Sequence, residues 1–218
     1  MYRLYDSRLS GNAWKLRILM RELGIPFERV TLDLAKGEAK LPEFARISRF
    51  RRIPVLETED GRHIIESGAI MLFLAEGSPL LPADLFLRAE VTSWLFFEQA
   101  DLVKPLGLPR FYKLSGQFDE MQEKVAEYHQ AGYLALSRLE SWIAQRRWLS
   151  NDAFSLADLA VFPYVALAEQ GGYEMGRFPG IAAWLRRLAD RPAWEPLVPQ
   201  DAGSADRSSP AAVNQAAR

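Results

Sequence analysis

Apolar residues alternate between strand spacing and helix spacing up to about residue 77, and beyond it follow helix spacing alone. Tyr2 to Tyr5 reads as a short strand, followed by a polar loop from Asp6 to Asn12. Leu16, Leu19, Met20 and Leu23 recur at helical spacing, and Gly24-Ile25-Pro26 stops that helix. Phe27 to Leu34 reads as a second strand, which makes a βαβ unit and requires a parallel pair. Pro42 to Ile47 suits a short helix with proline at its first position. Val55-Leu56, the turn Thr58 to Gly61 and the return Arg62 to Ile65 predict a hairpin, with Ser67 as the N-cap of a helix that Gly77 ends.

After Gly77 the proline-punctuated connector Ser78 to Asp84 leads into segments with no strand pattern. Asp84 is placed to cap a helix running through Leu102, which Pro105 and Pro109 are expected to kink or end. Asp119 to Arg147 predicts a second long helix with Gly132 as its weak point. Ser155-Leu156-Ala157-Asp158 is a capping box, with Phe154 placed to staple onto Leu159 and Gly171-Gly172 to end the helix. A last helix spans about Gly180 to Ala189, and the polar, small-residue run from Asp201 to Arg218 predicts a disordered tail.

The composition narrows the chemistry. A net charge of -1 argues against a general nucleic-acid or anionic-membrane binder. The start of the chain lacks a signal-peptide pattern and no apolar run approaches the ~20 residues of a membrane span, so the expectation is a cytoplasmic protein. The absence of cysteine excludes disulfides, thiolate metal sites and a protein thiol nucleophile, and two histidines make a metal site unexpected. Any thiol chemistry must therefore arrive with a ligand.

The stretch from Arg52 to Ser67 carries the candidate site. A proline at Pro54 removes a donor where a strand begins and permits a cis bond, which would leave the N–H and C=O of Ile53 as an open edge for an extended peptide. Glu66-Ser67 puts a carboxylate and a hydroxyl beside the free N–H groups of a helix start, where a ligand carboxylate is favoured and an amine meets Glu66. The pattern suits a small zwitterionic peptide; equally, it describes a plain hairpin whose serine caps a helix.

Leu9-Ser10-Gly11-Asn12, Arg52-Ile53-Pro54-Val55-Leu56, Glu66-Ser67 and Phe154-Ser155-Leu156-Ala157-Asp158, in this order, resemble the cytosolic glutathione S-transferases over about residues 1 to 197. The resemblance is strongest to bacterial branches with a serine/asparagine loop. It implies an α/β thioredoxin-like N-terminal domain followed by an all-α C-terminal domain: residues 1–77 binding glutathione, a linker at 78–84 and a helical domain at 85–200. It further implies that Ser10 donates to the glutathione sulfur, with Asn12 assisting or substituting. The backbone at Ile53-Pro54 would pair with the cysteinyl unit, Glu66 and Ser67 would hold the γ-glutamyl end, and Arg52 would meet the glycine carboxylate. Tyr5 and Ser7 are rival donors to the sulfur.

The chemistry asks for such a donor. A thiol of pKa ~8.5 is a few per cent thiolate at neutral pH, and lowering it by about two units takes ~2.7 kcal/mol, within reach of one hydrogen bond plus a helix end. One departure stands out. The family commonly reads Asn-Pro-x-Gly-Lys/Arg before the key proline, whereas here Ser48-Arg49-Phe50-Arg51-Arg52 loses the glycine and, with Arg46, forms a positive patch.

The resemblance also implies a homodimer, with Gln99 and Asp101 reaching toward the neighbour. Trp14, Phe97, Leu102, Leu106, Phe111 and Tyr112 become candidates to line an apolar second-substrate pocket, with Arg110 as an anion contact. The expected function is a transferase joining the glutathione sulfur to a hydrophobic electrophile. Reduction of disulfides or peroxides at the expense of glutathione, and a non-catalytic binding or dimerisation module, stand as alternatives.

Overall fold

The computed structural model describes residues 1–198, and the expected tail at 201–218 lies outside them. Its contacts separate two compact units, one of Met1–Leu74 together with the segment from Glu195, the other of Ala75–Trp194.

In the first unit, β1 (Tyr2–Asp6), α1 (Gly11–Glu22), β2 (Phe27–Thr31), α2 (Pro42–Ile47), β3 (Val55–Glu57), β4 (His63–Ile65) and α3 (Ser67–Ala75) follow the expected order. The sheet runs β2-β1-β3-β4, with β1 and β2 parallel and the other pairs antiparallel. Tyr5, Val55 and Ile65 point to one face and pack with Leu32, Ala39 and Phe44; Leu4 and Leu56, on the other, are fully buried. β2 stops at Thr31, short of the expected Leu34. The carboxylate of Asp33 accepts from the amides of Ala35 and Lys36 at 3.0 and 3.2 Å, so a turn replaces the strand ladder.

A cross-strand row of charges spans the sheet: Glu28 faces Arg3, Arg3 faces Glu57 and Glu57 faces His63. Arg3 bonds both Glu28 (3.2 Å) and Glu57 (3.1 Å), so this edge of the face is held by charge pairing in place of apolar packing.

The segment from Glu195 belongs to this unit through a buried polar knot that periodicity does not signal. Arg17, fully buried in α1, donates to Glu195, to Asp6 at 2.9 Å and to the Leu197 carbonyl at 2.6 Å. Arg29 also binds Asp6, and Trp14 donates its indole N–H to the Glu195 carbonyl at 2.8 Å. Trp14, expected to line a substrate pocket, is thus a core residue 4% exposed.

The second unit is helical: α4 (Leu85–Phe97), a π-helical segment (Glu98–Leu102), α5 (Val103–Leu114), α6 (Gln122–Ile143), α7 (Leu156–Ala166) and α8 (Pro179–Ala189). Asp84 caps α4, accepting from the Leu87 amide at 2.9 Å. Pro105 and Pro109, expected to kink or end the helix, do not end it, since α5 continues to Leu114. The π widening at Glu98–Leu102 includes Asp101, the residue whose carbonyl an ordinary helix would offer to position 105, so the missing proline N–H falls where the ladder is already altered.

The capping box at Ser155 is present: Ser155 Oγ accepts from the Ala157 amide and Asp158 Oδ2 from the Ser155 amide, at 3.2 and 3.1 Å. Gly132 is less a weak point than a clearance, because a Cβ there would lie 2.3 Å from the Tyr173 hydroxyl.

Candidate functional site

The predicted site residues all lie in the first unit, and its topology gathers them. Ser10 is the N-cap of α1, its Oγ accepting from the Ala13 amide at 3.2 Å. That bond uses a lone pair and leaves the hydroxyl proton available to a further acceptor. Asn12 sits in the first turn of the same helix. Ser67 is the first residue of α3 and not its cap as expected; the cap position falls to Glu66, whose carbonyl accepts from the Ile70 amide at 3.0 Å. Ser67, 3% exposed, donates to Asn12 Oδ1 at 3.3 Å. The N-termini of α1 and α3 are therefore neighbours, and their partial positive ends converge.

The hairpin supplies the third side. The Ile53-Pro54 peptide is cis, and the β3–β4 ladder begins at Val55 opposite Ile65. Continuing that register by two positions brings Ile53 level with Ser67, outside the ladder, with its main chain beside the α3 start. Glu66 takes a left-handed backbone, φ +69°, and its side chain is exposed. Arg52 is fixed through its main chain: the buried Ser48 hydroxyl donates to its carbonyl at 2.9 Å and accepts from its amide at 3.1 Å. Its guanidinium is exposed.

The rival donors are placed differently. Tyr5 is 2% exposed and its hydroxyl donates to Glu57 at 2.7 Å. Burial, followed by that hydrogen bond and the negative charge of Glu57, pushes the phenol up to about 12. A phenol held by a carboxylate is a poor donor to a second anion. Ser7 is 8% exposed, and its carbonyl accepts from the Ser10 amide at 3.0 Å, so its role is to shape the loop.

In the helical unit Leu102 and Leu106 are fully buried core residues, whereas Phe111 is exposed. Arg110 donates to Gln170 at 2.6 Å, and burial lowers its pKa.

Sequence reasoning missed Ser48, which locks the loop before Ile53, and Glu57, which captures Tyr5. No signal existed for the second, because the hairpin pattern pairs β3 with β4 and the pairing of β1 with β3 that brings Tyr5 near Glu57 is long-range. None existed for Ser48, whose partner is main chain. Among the described residues no cluster of three or more acidic or histidine side chains could hold a metal, and no helix is long and apolar enough to cross a membrane.

The order of elements and the convergence of two helix starts on an Ile-Pro hairpin match a known architecture. Residues 1–76 fit the family model for the glutathione S-transferase N-terminal domain, and residues 94–192 fit that for its C-terminal domain. The chain belongs to the cytosolic glutathione S-transferase family. A glutathione S-transferase structure from Pseudomonas fluorescens is 35% identical, with a TM-score of 0.88 over 90% of this chain and 98% of that one. The Escherichia coli disulfide-bond oxidoreductase YfcG is 28% identical over 84% of this chain and 87% of its own length. The Saccharomyces cerevisiae transcriptional regulator URE2 is 27% identical over 88% of this chain, which spans 66% of URE2; the structure of Ure2p in complex with glutathione superposes with a TM-score of 0.81. The thioredoxin-like sheet domain followed by a helical domain is thus the family fold in this member too.

Proposed function

We propose that this chain binds glutathione on its N-terminal unit and activates the thiol for attack on an apolar electrophile. The observation that carries the reading is the Ser67–Asn12 hydrogen bond, which sets two helix starts side by side and so gathers Ser10, Asn12, Glu66 and Ser67. In this reading the Ser10 hydroxyl, already oriented by the Ala13 amide, donates a hydrogen bond to the sulfur and favours the thiolate, the thiol proton passing to solvent, while the end of α1 adds a positive potential. Asn12 offers its amide N–H groups to the same anion. The main chain of Ile53 beside Pro54 pairs with the cysteinyl unit. Glu66 meets the γ-glutamyl amine, the Ser67 amide and the other free amides at the start of α3 its carboxylate, and Arg52 the glycine carboxylate. The thiolate then forms a bond to carbon as the leaving group departs with its electron pair.

Reduction of a disulfide is the second reading, supported by the similarity to YfcG and permitted by a chain without cysteine, since no protein thiol is needed. There the thiolate attacks one sulfur of the substrate disulfide. A second glutathione resolves the mixed disulfide, and two glutathiones leave oxidised. Family membership supports a cytoplasmic homodimer, with residues 1–77 as the glutathione domain, 78–84 as linker and the helical domain from 85 onward, its end drawn back from 200 to Trp194 because the segment from Glu195 packs with the first unit.

Calorimetric titration with glutathione, with ultraviolet absorbance of the thiolate, tests the site. Binding with a thiolate band that Ser10→Ala removes is the expected result; no binding at millimolar glutathione would refute the reading and favour a non-catalytic module. Turnover of a chloronitroaromatic against a dialkyl disulfide separates the two chemistries, and activity on the disulfide alone would replace the first by the second.

A further inference from the structure

Ser48 stands where α2 ends, and each of its polar groups has a partner in the chain. Its amide donates to the Phe44 carbonyl at 2.9 Å, closing the last turn of α2, and its carbonyl accepts from the Arg51 amide at 2.8 Å. Its hydroxyl, on a fully buried residue, donates to the Arg52 carbonyl at 2.9 Å and accepts from the Arg52 amide at 3.1 Å. The main-chain bonds make the turn and would survive in an alanine; the two hydroxyl bonds reach only Arg52. They act against a local strain. Arg51 takes a left-handed backbone at φ +52°, which is costly for a residue with a Cβ, so a turn released from its clasp relaxes at the residue just before Arg52. On the far side, Ile53 packs partly buried against the core of Tyr5, Leu32, Phe44 and Val55. Arg52 is thus pinned at its main chain from both directions while its side chain is exposed.

We propose that Ser48 is a positioning residue for the glutathione site: by clasping the main chain of Arg52 it aims the guanidinium at the glycine carboxylate. The inference rests on the glutathione reading and adds to it the residue that orients its carboxylate contact. A guanidinium on a fixed main chain gives up less freedom when it binds, and a two-pronged match to a carboxylate depends on direction as well as distance. Among the described residues no hydrogen bond of Ser48 runs to Ser10, Asn12 or Ser67, so its effect falls on binding and not on the acidity of the thiol.

The test is calorimetry of the full chain with glutathione and with γ-glutamylcysteine, the same peptide without the glycine that Arg52 is held to meet. Ser48→Ala is expected to weaken glutathione about tenfold, which converts to roughly 1.4 kcal/mol, and γ-glutamylcysteine by less than about twofold. The pH midpoint of the bound thiolate band should stay within about 0.2 of a pH unit of the parent's. In an Arg52→Ala chain, which has no guanidinium to aim, Ser48→Ala should weaken glutathione by less than about twofold further. The freed groups belong to an exposed residue that water can reach, so the melting temperature should fall by no more than about 4 °C and the variant stays folded in the assay. Equal weakening of both peptides, a further tenfold loss in the Arg52→Ala chain, or unchanged glutathione affinity would overturn the inference and leave the glutathione reading in place. So would altered sedimentation of Ser48→Ala, which would trace the loss to assembly. A parent chain that binds neither peptide would overturn that reading and this inference with it.

Discussion

The hydroxyl of Ser67 donates to Oδ1 of Asn12 at 3.3 Å, joining two helix starts 55 residues apart in sequence. Ser67→Ala removes the donor and leaves the Asn12 carbonyl without that partner. It also releases from each other the two helix starts whose free amides the proposed site offers to the ligand. Glutathione affinity is expected to fall about tenfold, roughly 1.4 kcal/mol, measured by calorimetry. Unchanged affinity would remove Ser67 from the site.

Gly132 and Tyr173 form a second paired arrangement. The Tyr173 hydroxyl lies 2.8 Å from the Pro105 carbonyl and 2.9 Å from that of Tyr128, filling the space that a Cβ on α6 would take. Gly132→Ala gains helix propensity but displaces a buried phenol, and the second effect is the larger. A net loss of about 2–3 kcal/mol is expected from urea denaturation, against a gain of about 1 kcal/mol if helix propensity alone counted. Tyr173→Phe should cost about 1–2 kcal/mol.

Asp158 gives the fold a pH dependence. Its carboxylate accepts from the Leu149 amide at 3.1 Å, the Ser155 amide at 3.1 Å and the Trp184 indole at 2.9 Å. Burial nevertheless pushes its pKa up to about 6 from the ordinary 3.8. The folded chain then binds the proton more tightly than the unfolded one. This group's contribution is fully present below the unfolded value and is lost as pH rises through about 6, with a total on the order of 3 kcal/mol. Urea midpoints for the parent and Asp158→Asn should therefore differ by an amount that declines across that window and is flat above it. Asp158→Ala strands three buried donors and should cost about 3–5 kcal/mol at any pH above 6.

The knot around Arg17 makes the segment after α8 structural. Arg17→Ala leaves Asp6 and Glu195 buried without this partner, and a loss of about 3–5 kcal/mol is expected. Truncation after Trp194 removes Glu195 and Leu197 and should lower the melting temperature as well.

Much of this was legible beforehand because it is written in local patterns. The strand spacing of Tyr2 to Tyr5, the Thr58 to Gly61 turn and the Ser155–Asp158 box each act within a few residues, and each appears in the structure. Errors came where a side chain took main chain as its partner, near or far. Asp33 ended β2 early by turning the backbone onto itself, and Trp14, apolar at a helix position that suited a pocket, gave its N–H to Glu195 instead.

The sequence by itself determined the order of elements, the split into a sheet region and a helical region, and the types of residue proposed to hold a small zwitterionic peptide. Periodicity and caps depend on neighbours a few positions apart, so they can be read from the chain alone. Only the tertiary structure decided which of those residues meet. The cross-strand register of β3 and β4 brings Ile53 level with Ser67, Ser67 finds Asn12, and Glu57 withdraws Tyr5 from the competition for a thiol. Arg51 makes the same point from the other side: its letter suggests a lost glycine, and the fold keeps the glycine's backbone while presenting the arginine's charge. Contacts between residues far apart in sequence follow from how sheet and helices pack, and no local pattern encodes them.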